Sequence, residues 1–287
     1  MSVVDFSKLY PDNRQEGETV LRQAQLVMLR MLKIIDYICR KHDISYWMCS
    51  GTLLGAVRHK GFIPWDDDLD ICMIREDYER FVEIAVNEFP EDMMLQTRET
   101  DPHYHYLPLP CKVRDKKSFI LSPGYEDEEC EKGLFIDIFP MDRYHKQKLP
   151  FMFEKMVKVY NTLICKSLDA IYFKDESIDK KILAFFHPVF HKLVLQYMKF
   201  AKKLIDKNRG LGTDCRLGHG FDTLWKRYLR FDDIFPVVEI DFEDSKFFAP
   251  HRPDVYLTTL YGPNYMTPPP EKQRLAAQHA HEIKPII

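Results

Sequence analysis

Four aspartates fall within five residues of the segment PWDDDLDI, residues 64–71: Asp66, Asp67, Asp68 and Asp70. In an extended chain successive side chains point to opposite faces. Asp68 and Asp70 therefore share a face, Asp66 joins them where the strand begins, and Asp67 and Leu69 point the other way. Carboxylates held this close repel one another when ionised. A divalent cation removes that penalty, and hard cations such as Mg²⁺ take carboxylate and phosphate oxygens as ligands. A solvated acidic turn is the ordinary reading of a charge run. Here Phe62, Ile63 and Trp65 precede the acids and Ile71, Met73 and Ile74 follow them. Acids set in core-type sequence point to a metal site instead.

Two further segments fit such a site. In CSGTLLGAVRHKG, residues 49–61, a strand is predicted to end at Ser50–Gly51 and a helix to start. Backbone N–H groups at a helix start attract phosphate. Gly51 admits close approach, and Ser50 and Thr52 add hydroxyls. Taken alone, the pair Gly51 and Gly55 is more often a packing device; its weight comes from lying just upstream of the acids. In GLFIDIFPMD, residues 133–142, Asp137 sits among Phe135, Ile136, Ile138 and Phe139. A lone acid in so apolar a strand is costly to bury without a partner. A cation on the neighbouring strand supplies one; an edge strand facing water is the alternative. Positive charge for phosphates is offered by Lys112 and Arg114, two apart in a strand, and by Arg58, Lys60 and Arg274. Ordinary surface charge competes with that role at each. Trp65, Tyr261 and Tyr265 are read as core packing in preference to a cap over the pocket.

The elements that must position these residues follow from periodicity. Apolar residues at helical spacing predict a helix from Thr19 to about His42. Strands are expected over 44–50, 68–74, 93–97, 111–114 and 134–139, and helices over 52–59 and 76–89. Residues 123–132 read as an acidic solvated loop. From 149 to 206 the pattern turns helical; Asn208 to Gly220 reads as a glycine-bearing connector and TPPPE, 267–271, as extended. In the last helix Val189, Leu193, Tyr197, Phe200 and Leu204 mark one face, and Lys192, Gln196, Lys199 and Lys203 the other. A packed surface helix produces this pattern. The alternative is a peripheral contact with an anionic membrane. The expected division is an irregular lead-in over 1–18, a catalytic core over 19–148, a helical region over 149–220, and a C-terminal part over 221–287 packing on the core.

The 287 residues, 45% hydrophobic and 30% charged, are enough for a packed core. A net charge of −3 argues against a nucleic-acid partner. Seven cysteines with no CxxC pair predict reduced, buried thiols and lack the spacing of a structural zinc site. With no basic-then-apolar leader and no apolar run of spanning length, a cytoplasmic protein is expected, placed at the inner face of the membrane if the lysine face binds lipid.

A glycine-bearing turn, an acidic strand and a third acid on another strand make up a nucleotidyltransferase-like layout: an α+β fold with a mixed sheet, flanking helices and a helical insertion. GTLLGAVRHKGFIPWDDDLDICMIREDYERF, followed by GLFIDIFPMD and YGPNYMTPPPEKQR, resembles the LicD family and its animal relatives of the fukutin type. The likeness spans roughly residues 47–81, the surroundings of Asp137, and 261–274. It implies a phosphotransferase using CDP-activated donors with Mg²⁺ or Mn²⁺. Bacterial members of such a family transfer phosphocholine to a sugar of a surface glycan precursor, such as lipopolysaccharide or teichoic acid. The acceptor is then a sugar or lipid-linked glycan. By resemblance Asp68 and Asp70 are metal ligands, Asp137 is the third carboxylate, and Asp66 is a ligand or stands just behind. Two rivals remain. One is a nucleotidyltransferase attaching a nucleoside monophosphate to a protein or small molecule. The other is a non-catalytic nucleotide- or metal-binding module.

Overall fold

A computed structural model describes residues 4–97, 99–104, 111–121, 129–172, 187–223, 225–275 and 280–286. The chain forms two compact units. Residues 1–105, 111–139 and 232–287 make the first, and residues 106–110 and 140–231 the second. The units meet at 139/140 and 231/232 along the chain. Pro140 does not end its strand, which runs from Phe135 to His145 and belongs to the first unit up to Phe139.

The first unit opens with α1 (Phe6–Leu9) and a short 3-10 turn at Arg14–Glu16, so the lead-in is not wholly irregular. Arg14 is buried there and pairs with the fully buried Asp115 at 2.8 Å. Next comes α2 (Val20–Lys41), whose start is fixed by Thr19: its hydroxyl accepts the Arg22 N–H. One face of α2 buries Ala24, Val27, Met28, Met31, Ile34, Ile35 and Ile38. After it follow β1 (Trp47–Met48), α3 (Ser50–His59), β2 (Asp70–Ile74), α4 (Arg75–Ala85), β3 (Met93–Gln96), β4 (Cys111–Asp115), β5 (Phe119–Leu121) and β6 (Phe135–His145). The sheet order is β1-β2-β6-β4-β3. Antiparallel pairing of β4 with β6 sets Lys112 opposite Asp137 and Arg114 opposite Phe135. The Asp137 N–H donates to the Leu69 carbonyl, which ties β6 to the acidic segment.

Two expected strands are shorter than predicted. β1 has two residues because Ser50, at φ +48°, already turns the chain into α3. β2 starts at Asp70, so Asp66, Asp67 and Asp68 lie in the loop before it. The expected helix over 76–89 stops at Ala85, and turns carry the chain to Phe89.

In the second unit α5 (Lys148–Tyr172) packs on α6 (His187–Arg209), and β7 (Cys215–His219) pairs with both the far half of β6 and β8 (Tyr228–Arg230). β7 occupies much of the expected connector 208–220. Its Gly218 is packed, not flexible: an added Cβ would meet Tyr228 at 2.6 Å and Tyr144 at 2.8 Å. The core gathers Tyr144, Val157, Tyr197, Ala201, Leu204, Ile205 and Phe221. Most of the acidic loop predicted over 123–132 lies outside the described residues, as do residues 173–186 of the helical region.

The chain returns to the first unit through α7 (Phe231–Ile234), followed by the hairpin β9 (Val238–Phe242) and β10 (Ser245–Ala249). Then come α8 (Pro253–Tyr261), α9 (Glu271–Leu275) and β11 (Glu282–Lys284), which pairs with β5. These late elements and α2 hold the acidic loop. From α2, Gln25 Nε2 donates to the carbonyls of Ile63 at 3.3 Å and Asp66 at 3.0 Å. From the hairpin turn, Glu243 accepts the Phe62 N–H at 3.1 Å and donates its own N–H to Lys60. A Cβ on Gly61 would overlap that carboxylate. The Ala280 N–H donates to Asp67 Oδ2 at 2.8 Å. Among the described residues no helix is long and apolar enough to cross a membrane.

Candidate active site

A cavity of about 500 Å³ in the first unit gathers several of the candidate residues. One wall holds Asp66, Asp68 and Asp70; Ser50, Gly51 and Arg58 of α3 also border it. Alternation survives although the first three acids lie in a loop. Asp67 is 2% exposed and faces the C-terminal segment, and Leu69 is fully buried. A Cβ at position 51 would stand 2.8 Å from Asp66 Oδ2 and displace that carboxylate. Gly55 is the packing glycine, since its Cβ would strike the Gly61 carbonyl at 2.4 Å. Thr52 is buried beneath, and its Oγ1 accepts the Asp70 N–H at 2.8 Å, locking α3 to the start of β2.

The remaining wall comes from the C-terminal segment: Tyr261, Asn264, Tyr265, Thr267 and Pro269, together with Trp65. The core-packing expectation for Trp65, Tyr261 and Tyr265 is therefore corrected. Gly262, at φ +82°, ends α8 and swings the chain into this wall, so the tyrosines border open space and Tyr261 is 42% exposed. The Arg274 guanidinium stacks 4.6 Å from the Trp65 ring centre. Arg58 donates to the Tyr265 carbonyl at 3.0 Å and to His59 Nε2 at 2.9 Å. That last bond needs an unprotonated His59 nitrogen, consistent with a pKa lowered by burial and by Arg58. Asn264 and Thr267 carry no sequence signal beyond their place in YGPNYMTPPPEKQR.

The acids are electrostatically strained. Burial pushes the Asp66 carboxyl up to about 8, with Asp68 and Asp67 adding to the shift and Arg58 opposing it. Burial also raises Asp70 well above the carboxylate range; Asp68, Cys49 and Asp137 reinforce this and Lys112 opposes it. Asp137 stands within electrostatic reach of Asp70 but is not among the cavity's lining residues. Its Oδ1 accepts from Lys112 Nζ at 2.5 Å, and that ammonium also sits 3.5 Å from the Phe135 ring centre. Burial pulls the Lys112 pKa down while Asp137 holds it up.

Other candidates fall elsewhere. Arg114 is buried, with Nε on Gln96 and Nη1 on the Gly133 carbonyl, both at 2.5 Å. Lys60 is exposed in a left-handed cap after α3 and is not part of the cavity lining. Among the described residues no three His, Cys, Asp or Glu side chains are already arranged as a metal ligand set. In donor type and charge, however, Asp66, Asp68 and Asp70 fit a hard divalent cation: all three are oxygen ligands lining one cavity, and ionising Asp66 and Asp70 there costs free energy until a positive charge arrives.

A glycine-bearing helix start stands beside a loop and strand carrying Asp66, Asp68 and Asp70, with Asp137 on the adjacent strand β6, and this layout agrees with a nucleotidyltransferase domain. Residues 43–178 match the family model described as LicD/FKTN/FKRP, nucleotidyltransferase domain. The chain is 30% identical over 271 residues to the lipopolysaccharide cholinephosphotransferase LicD of Haemophilus influenzae, covering 92% of this chain and 96% of that protein. A shorter match, 50% identical over 34 residues, is to the ribitol 5-phosphate transferase FKRP of Homo sapiens; it covers 12% of this chain and 7% of that protein. This chain belongs to the LicD family, and as a member it is a transferase of phosphorus-containing groups.

Proposed function

We propose that this transferase moves a phospho-alcohol group of the phosphocholine kind from a CDP-linked donor to a sugar hydroxyl of a cell-surface glycan precursor. The observation carrying this reading is the cavity, with three carboxylates on one wall and Arg58 and aromatic rings on the others. Asp66, Asp68 and Asp70 would hold Mg²⁺ or Mn²⁺. When bound, such a cation neutralises diphosphate charge and so favours departure of CMP. Ser50 and Gly51, in the first turn of the ten-residue α3, offer a favourable dipole end to a phosphate. Arg58 adds positive charge, and Trp65, Tyr261 and Tyr265 provide faces for a base. Asp137, or a water beside it, takes the proton of the acceptor hydroxyl, and Lys112 fixes the Asp137 carboxylate in place. The six described cysteines, all buried and none in a disulfide, suit a reducing compartment such as the cytoplasm.

The test is direct. Calorimetry with CDP-linked compounds should show binding that depends on Mg²⁺, and Asp70→Asn should lose transfer while keeping its fold. Full activity in that variant overturns the assignment. Product mass separates the nearest rival, because a nucleotidyltransferase would leave a whole nucleotide on the acceptor.

A further inference from the structure

Both helices of the second unit expose apolar side chains on the outside of the pair. Along α5, Leu149, Phe153, Met156 and Tyr160 recur at helical spacing, with Leu149 80% and Met156 67% exposed. On α6, Val189 and Phe200 are exposed, while Tyr197, Ala201, Leu204 and Ile205 turn inward to the unit's core. The apolar face predicted for α6 is thus divided between core and surface. Between the helices lies an apolar groove of about 430 Å³ lined by Phe153, Met156, Leu193 and Phe200 among others. A packed surface helix does not account for a contiguous exposed apolar surface of this kind.

Charge specifies the occupant. Over residues 148–161 and 187–204 the sequence contains one acid, Glu154, whose side chain is 2% exposed and bound to His145 and Asn208. The exposed charges there are all lysines: Lys148, Lys155, Lys192, Lys199, Lys202 and Lys203. At about 100° per residue, these fall beside the exposed apolar stripe of each helix and away from the buried one. An apolar strip edged almost wholly by lysines, with Asp206 near the C-terminal end of α6 as the exposed acid among the described residues of the pair, in a chain of net charge −3, matches a surface that is oily within and anionic at its headgroups. A second copy of the chain would bring lysine against lysine.

We infer that the α5–α6 pair docks on the surface of an anionic lipid bilayer, lying in the interface without crossing it. The inference stands on the second unit alone and is read by binding, so it can fail without touching the chemistry assigned to the first. The experiment is sedimentation of the full chain with vesicles of phosphatidylcholine, with or without phosphatidylglycerol. The chain should pellet with the anionic vesicles and be released by salt. Phe153→Ser with Met156→Ser should weaken partition about tenfold or more. Lys192→Glu with Lys199→Glu should abolish the preference for anionic vesicles. Phe153, Met156, Lys192 and Lys199 are all exposed, so both variants should keep the thermal midpoint of the parent. Absence of vesicle binding overturns the inference, as does binding that neither pair of substitutions alters. So does a dimer seen by light scattering that Phe153→Ser dissolves while vesicles capture nothing.

Discussion

At the scale of single residues, Asp66 and Asp70 are carboxyl groups that resist ionisation. Asp66, raised to about 8, binds its proton more tightly in the folded chain than in the unfolded one. Its contribution to stability is complete below the ordinary carboxylate value of 3.8 and is lost as pH climbs through about 8. In chelator, the thermal midpoint should therefore decline from mildly acidic to mildly alkaline pH, and Asp66→Asn should flatten the decline. Identical slopes in the two proteins would show that Asp66 is ordinary. Asp70→Asn removes a carboxyl whose ionisation is opposed by burial and by Asp68 and Asp137, so the cation-free variant should melt a few degrees higher at alkaline pH even as transfer is lost. Differential scanning calorimetry in chelator checks this; a lower midpoint speaks against electrostatic strain at Asp70.

At the scale of elements, the two glycines of α3 separate function from packing. Gly51→Ala meets only the end of the Asp66 side chain. Stability should change by less than about 1 kcal/mol while transfer drops, because a site carboxylate is displaced. Gly55→Ala meets the backbone at Gly61 and Ile63, so about 1–3 kcal/mol of stability should go. Urea titrations paired with a transfer assay distinguish them, and equal stability losses would refute the division. The grouping of Asp66, Asp68 and Asp70 was expected from alternation in an extended backbone, and the cavity borders all three although only Asp70 lies in β2. What escaped were features set by distant contacts. Pro140 looked like a strand end, yet β6 passes through it because β7 lies alongside. Gly218 looked like a connector residue, yet Tyr144 and Tyr228 close over it. Tyr261 and Tyr265 looked like core because aromatic residues usually are; only the backbone swing at Gly262 sets them on the cavity.

At the scale of the molecule, the first unit is held together by residues far apart in sequence. Arg14 bonds the fully buried Asp115 and the Pro285 carbonyl, so one side chain joins the N-terminal lead-in, the sheet and the C-terminal segment. Arg14→Met should cost about 3–5 kcal/mol by stranding a buried carboxylate, and adding Asp115→Leu should recover much of that loss. Chemical denaturation of the single and double variants measures it, and a double variant as weak as the single would refute the pairing. The second unit, by contrast, is almost one unbroken stretch of chain, 140–231. On a ribosome this inverts the usual order. The later-numbered helical unit emerges with nearly all of its partners already made. The unit that begins at the N-terminus must wait for Glu243 and Ala280 before its acid loop is held.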